Sequence, residues 1–250
     1  RVFEALASSA LVLSDNVEGS RELFSGLLPT YRDAPQLRRL LDRFLADDDE
    51  RTRLAGQLRD MVLAQHTYRH RAHEFCSLAL SEADRPRLAV KTAVSTDPRS
   101  QWGDYHFARS LSRALNSVGF ASEVHTVLDG EQLHNQHADV IVHLRGREPH
   151  VPKPAQVNVL WIISHPDAVS ARECALYDLV LCASRAKTDL LRNEGIRAAF
   201  LPQATDGRQF GRAHPDEQLK TAVLFVGNSR GELRPAVHWA LEQGLSLTVY

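Results

Sequence analysis

Apolar residues recur every three to four positions over 34–46, where Leu37, Leu40, Leu41, Phe44 and Leu45 share one face. That period predicts an amphipathic helix, and Asp33 stands where it can cap the first turn. A second helix over about 49–65 repeats the pattern with Leu54, Leu58, Met61 and Val62, and a third runs from Thr67 to about Leu80. Ahead of them, residues 2–7 read as a short helix and Ala10 to Ser14 as a buried strand. Residues 15–19 form a turn-rich loop, Ser20–Phe24 the capped start of a short helix, and 27–31 a second extended segment.

A polar break at 81–86 changes the pattern. Continuous apolar runs predict strands at 88–94, 122–127, 139–144, 157–163, 178–183 and 197–201. Helical periods fall between them at 103–118, 170–175 and 184–194, with Phe107, Leu111, Ala114, Leu115 and Val118 on one face of the first. Apolar strands alternating with amphipathic helices indicate an α/β fold with a parallel sheet. Residues 203–219 are polar and read as a linker, followed by a strand at 221–226, a tight turn at 227–230, a helix at 232–243 and a strand at 245–250. The two chain ends both carry apolar strands, and we expect them to share one incomplete sheet.

Composition narrows the class. The chain has 250 residues, 43% hydrophobic and 24% charged, as in a soluble globular protein. A formal net charge of −1 argues against a dedicated nucleic-acid binder. The longest apolar runs are too short for a transmembrane segment, and no signal pattern opens the sequence. Cys76, Cys174 and Cys182 lack metal-binding spacing and suit reduced core thiols, so a cytoplasmic location is expected. Met61 is the single methionine, and both ends fall inside predicted elements, which suggests a window from a longer chain.

Candidate chemistry lies mainly in turns. After strand 221–226, Gly227, Asn228 and Arg230 lead into a helix whose N-terminus favours an anion, with Arg234 nearby. An ordinary strand-to-helix turn explains the same residues. In the loop before helix 103–118, Gly103 permits close approach, while Trp102, Asp104 and His106 offer stacking and acid–base groups. A capped helix start explains Asp104 but not the Trp-Gly pair. The strand ending in Trp161-Ile-Ile-Ser-His-Pro-Asp167 places His165 and Asp167 at the same sheet edge, where His165 suits either a general base or a structural role. His66, His70 and His73 share a helical face but lack a fourth ligand, so a solvated face is the better reading and no metal is expected. Glu4, Gly19 and Glu22 can line one side of a pocket, where the Glu4 carboxylate accepts from two hydroxyls at once, but from the residues alone a solvated glutamate on a helix face is the better reading of Glu4.

The opening phrases Phe3-Glu-Ala-Leu-Ala7, Val12-Leu-Ser-Asp15, Glu22-Leu-Phe24, Pro29-Thr-Tyr31 and His66-Thr-Tyr-Arg-His-Arg-Ala72 resemble group 1 glycosyltransferases of the GT-B fold, and among them the CgeB-like (spore maturation protein) family. The central phrases Gln101-Trp-Gly-Asp-Tyr-His-Phe-Ala-Arg109, Arg145-Gly146 and Ile163-Ser-His-Pro-Asp167 are similar to the amino-terminal domain of such enzymes. Gln203 to Phe210 resembles an interdomain segment, with Gln203 replacing the usual Asn, and Val223 to Arg230 resembles the first strand of a nucleotide-binding domain.

The resemblance implies Rossmann-like parallel sheets of the GT-B type, incomplete at both ends. It implies the end of a carboxyl-terminal donor-binding domain at 1–80, a linker at 81–86, an amino-terminal acceptor-side domain at 87–202, a linker at 203–219 and the start of a second carboxyl-terminal domain at 220–250. That order suggests a fragment across the junction of tandem modules, with adjoining glycosyltransferase modules as partners, or a circular permutation. The implied reaction moves a sugar from a nucleotide-diphosphate sugar to an acceptor hydroxyl of a glycan, protein or small molecule, without a metal or other cofactor. Glu4, Gly19, Glu22, Gly227, Asn228 and Arg230 would hold the donor, and Glu4 matches the second of two glutamates that contact it in such enzymes. Trp102, Gly103 and Asp167 would face the acceptor, with His165, Asp104 and His106 as catalytic candidates. A nucleotide-sugar epimerase and a non-catalytic nucleotide- or sugar-binding module are the alternatives.

Overall fold

The computed structural model describes residues 2–17, 19–79, 86–92, 103–126, 138–146, 149–210, 221–227 and 234–249. In chain order the elements begin with α1 (Val2–Ala7), β1 (Ser14–Asp15), α2 (Ser20–Leu23), β2 (Thr30–Tyr31), α3 (Ala34–Ala46), α4 (Asp48–Gln65) and α5 (Tyr68–Ala79). Then come β3 (Arg87–Thr92), α6 (Gly103–Ser117), β4 (Ala121–Thr126), β5 (Val140–Arg145), β6 (Val157–Ile162), α7 (Ala171–Cys174), β7 (Leu179–Cys182), α8 (Arg185–Asn193) and β8 (Ala198–Phe200). They are followed by α9 (Gly207–Phe210), β9 (Leu224–Phe225), α10 (Pro235–Glu242) and β10 (Thr248–Val249). The chain divides into two compact units, residues 1–65 with 205–250, and residues 66–204.

The unit of residues 66–204 is a Rossmann-like α/β layer. Its six strands are all parallel, in the order β4-β3-β5-β6-β7-β8. Parallel strands must be covered on both faces, and alternate residues of each strand supply the two cores. Val90, Val142, Leu144, Val159, Trp161 and Leu181 face one side, where Ala72 and Phe75 of α5 and Ala108, Leu111 and Leu115 of α6 cover them. Leu160, Ile162, Val180 and Cys182 face the other side, against Cys174 of α7 and Leu191 of α8. The Tyr68 ring meets Phe107 edge-on at 5.0 Å, and Phe107 meets Trp161 at 5.2 Å. These contacts place α5 with the central sheet, although the sequence groups that helix with residues 1–80.

The other unit rests on α1 and α4, where Leu6, Ala7, Leu58 and Val62 form a core with Phe24 and Leu28. The Asp33 carboxylate accepts from Gln36 N at 2.8 Å, as the capping pattern predicts for α3. At α2, by contrast, the cap is Gly19 at φ +84°, and Ser20 Oγ instead donates back to Val17 O at 2.6 Å. The apolar run before β1 is not a buried strand. Only Ser14 and Asp15 ladder, with Thr30 and Tyr31, while Leu11 and Val12 pack as half-buried side chains on the α1–α4 core.

The expected shared sheet is also absent among the described residues. Strands β9 and β10 pair with each other in parallel, separately from the β1–β2 pair. The chain ends meet through helices and rings instead. Arg38 Nη1 donates to Gln243 O at 3.3 Å, and the Tyr31 and Trp239 rings stand 6.4 Å apart in an edge-on contact. Within the segment expected to be linker, 207–210 forms α9, whose Phe210 packs on the α1–α4 core. Among the described residues, no helix is long and apolar enough to cross a membrane.

The cysteines are free, and burial pushes the Cys76 and Cys174 thiols up to about 11 and raises Cys182 as well. The thiol form is therefore favoured by folding. Its contribution to stability is complete below the unfolded value near 9 and declines as the pH climbs towards 11. At about pH 8, iodoacetamide should label the folded chain far more slowly than the urea-unfolded chain, as counted by mass spectrometry.

Candidate functional site

In the six-stranded sheet, β3 comes first in the chain, β4 lies on one side of it and β5 on the other. The winding direction therefore reverses between β3 and β5. In open parallel sheets the crevice outside the carboxyl ends at such a reversal is where ligands bind. Here that edge carries the end of β5 and the first turn of α6.

Asp104 lies in the first turn of α6, where a carboxylate complements the helix dipole. It also occupies the space a side chain at residue 146 would need: a Cβ added to Gly146 would stand 2.6 Å from Asp104 Oδ2. The neighbouring Arg145 is buried. Its Nε and Nη2 donate to the Glu173 carboxylate at 2.6 and 3.3 Å, and its Nη1 donates to Gly146 O at 2.6 Å. One guanidinium thus ties the end of β5 to α7 and fixes the glycine that seats Asp104. A bidentate pair of this kind is directional and rigid.

His165 follows β6 and takes φ +49°, the left-handed region that side chains with a Cβ rarely occupy. It precedes a 3-10 turn, Pro166–Ala168, and its Nδ1 lies 3.1 Å from Ser164 Oγ. Gln203 Nε2 holds the end of the same strand by donating to Ile163 O at 2.5 Å. Backbone held in this region costs roughly 1–3 kcal/mol and persists where the surroundings impose it, often at functional sites. The half-buried imidazole and the exposed Asp167 sit at the carboxyl end of β6.

The edge therefore gathers Gly103, Asp104, His165 and Asp167 from the sequence reading. His106 is on the exposed side of α6, its ring 5.6 Å from that of Tyr105. Trp102, Asn228 and Arg230 lie outside the described residues. Glu4, Gly19, Glu22 and Gly227 belong to the other unit. There Glu4 is half-buried in α1, Gly19 caps α2, and Glu22 is exposed in the first turn of α2. A Cβ added to Gly227 would stand 3.0 Å from the Phe225 ring, a close contact that the ring would have to yield to.

The solvated histidine face is corrected for His66 and His70, while His73 is exposed as expected. His66 precedes α5 and is buried, with Arg71 Nη2 2.6 Å from its Nδ1, and Thr67 Oγ1 lies 2.7 Å from His70 Nδ1. Among the described residues, no group of three or more His, Cys, Asp or Glu is placed to hold a metal ion. Sequence reasoning missed Glu173 and used Arg145 and Gly146 only as part of a phrase. The signal was an arginine and a glycine directly ending an apolar strand.

Comparison with known proteins adds one finding. Residues 1–77 match the family model described as glycosyl transferase-like. The match spans α1 to most of α5, under a third of the 250 residues, and includes Glu4, Gly19 and Glu22. It supports a glycosyltransferase role at that general level. No curated protein and no solved structure matches the chain.

Two substitutions test the edge. Gly146→Ala should displace the Asp104 carboxylate and destabilise the chain by about 1 kcal/mol. In an Asp104→Ala background that cost should vanish, as read from a double-mutant cycle in urea. His165→Gly should stabilise the fold by about 1 kcal/mol, because glycine occupies the left-handed region without strain. The urea midpoint reports the gain.

Proposed function

We propose that the protein transfers a sugar from a nucleotide-diphosphate sugar to an acceptor hydroxyl, in the manner of the GT-B, CgeB-like enzymes. The observation that carries this reading is the glycosyl transferase-like match over residues 1–77, which takes in the donor candidates Glu4, Gly19 and Glu22. The Glu4 carboxylate accepts two hydroxyls of the donor sugar. Gly227, Asn228 and Arg230, ahead of α10, receive the diphosphate, assisted by Arg234 at the cap of that helix. Backbone N–H groups and arginine stabilise the charge that develops on the leaving diphosphate. This electrostatic set needs no metal to perform that task.

The acceptor is assigned to the carboxyl edge of the six-stranded sheet. Its hydroxyl oxygen attacks the anomeric carbon as the bond from that carbon to the diphosphate oxygen breaks. The hydroxyl proton passes to Asp104 or His165, and the bonding electrons leave with the diphosphate. Gly103 and Asp167, with Trp102, border the acceptor. The rigid Arg145–Glu173 pair supports this assignment, because it holds the β5 end against which Asp104 rests.

The test is incubation of the whole chain with radiolabelled nucleotide sugars and candidate hydroxyl acceptors, followed by product analysis. Glycosylated acceptor and free nucleoside diphosphate are expected. An epimerised nucleotide sugar without transfer, or no turnover with every donor, would overturn the proposal. Glu4→Ala should weaken donor binding by about 1–3 kcal/mol, measured calorimetrically.

A further inference from the structure

The turn that carries His165 departs from what its own sequence prefers. A residue before proline is steered to extended backbone, and His165 precedes Pro166. It stands instead at φ +49° and ψ +52°. The hydrogen bonds inside the turn, Ala168 N to His165 O at 3.0 Å and Val169 N to Pro166 O at 3.3 Å, form on the carboxyl side of that backbone reversal. A conformation of this kind persists where the surroundings impose it.

Two side chains from other elements grip the turn at its ends. On the entry side, Gln203 Nε2 donates to Ile163 O at 2.5 Å. On the exit side, Lys187 Nζ of α8 donates to Val169 O at 2.9 Å, and Val169 itself is buried with Leu160, Ile162 and Leu191. Both donors are held in turn. Leu201 O accepts from Trp161 Nε1 at 3.1 Å and Pro202 O from Arg71 Nε at 2.9 Å, so the segment leading to Gln203 is fastened to β6 and α5. Ser184 Oγ accepts from Lys187 N at 3.3 Å, and Thr188 Oγ1 donates to Ser184 O at 2.7 Å, which fixes the first turn of α8. Lys187 also breaks a local rule. Three positions after the cap a carboxylate would suit the helix, whereas an ammonium opposes its dipole. The charge-assisted bond to Val169 O gives the lysine a task at that place.

We propose that Lys187 and Gln203 are positioning residues that clamp the two ends of the 164–169 turn and impose the left-handed backbone presenting His165 at the carboxyl edge of the sheet. They act through the carbonyls of Ile163 and Val169. With either bond removed, one end of the turn is free and His165 relaxes towards the extended backbone that Pro166 favours. The imidazole then shifts from its place at the edge. The bearing of this shift on proton transfer rests on the transferase reading, whereas the clamp itself does not.

Double-mutant cycles on the full chain test the clamp. His165→Gly should raise the urea midpoint of the parent, and in Lys187→Met and Gln203→Leu backgrounds that rise should shrink by about half or more. Lys187→Arg still donates and should keep the rise. An equal rise in the parent and in both neutral backgrounds would overturn the proposal, and so would no rise in the parent. If neither background folds, NMR of the parent decides: an ammonium held on Val169 O gives a resolved, slowly exchanging Lys187 signal, and one that exchanges like free lysine overturns the clamp. In the sugar-transfer assay, Lys187→Met and Gln203→Leu should each lower kcat by about tenfold or more with the donor KM unchanged. Unchanged kcat in both, beside a parent that transfers sugar, would overturn the positioning role. A parent that transfers no sugar strikes the transferase reading alone, and the urea midpoints still decide the clamp.

Discussion

A parallel sheet cannot leave either face to water, and that requirement organises the unit of residues 66–204. Six parallel strands force five connections across the faces, and the chain must find cover for each. One face is closed by α5 and α6 through Phe75, Phe107 and Leu111. The other is closed by α7 and α8, and the carboxyl end of β5 is tied to α7 through Arg145 and Glu173. The same winding creates the edge where Asp104 and His165 emerge. Cover and chemistry are thus two consequences of one topology.

Polar residues enter this interior where the cover is backbone rather than apolar side chain. Lys91 and His143 would be costly beneath a leucine-rich helix. The His150 imidazole gives Lys91 a partner, and the Tyr177 hydroxyl, which donates to His150 O, gives His143 one. Arg145 follows the same logic, since three of its donors meet a carboxylate and the Gly146 carbonyl. Each of these groups fixes a segment next to the crevice. The polar interior therefore serves positioning more than stability, in keeping with the small net gain from replacing solvent hydrogen bonds by internal ones.

Much of the sheet was readable from the sequence because its strands are continuous apolar runs with amphipathic helices between them. Val157 to Ile162 and Ala34 to Ala46 fall within a residue of the expected bounds. The run from Ala10 to Leu13 misled for a physical reason: apolar side chains can pack on a helical core without a ladder partner. Residues 207–210 became helix because Phe210 reaches the α1–α4 core, a tertiary effect that a polar stretch does not announce. At the candidate site, glycine, aspartate and histidine beside strand ends were legible as types. Their partners were not, because Asp104 with Gly146, and Arg145 with Glu173, join residues 42 and 28 positions apart.

The functional account turns on whether the unit of residues 1–65 and 205–250 holds a nucleotide-diphosphate group. Hydrogen exchange of the full chain with and without uridine or guanosine diphosphate addresses this directly. The account predicts nucleotide-dependent protection at Gly19–Phe24 and in the first turn of α10, with the β4 edge unaffected. Saturating nucleotide with no protection at either segment, or protection confined to β4, would contradict it.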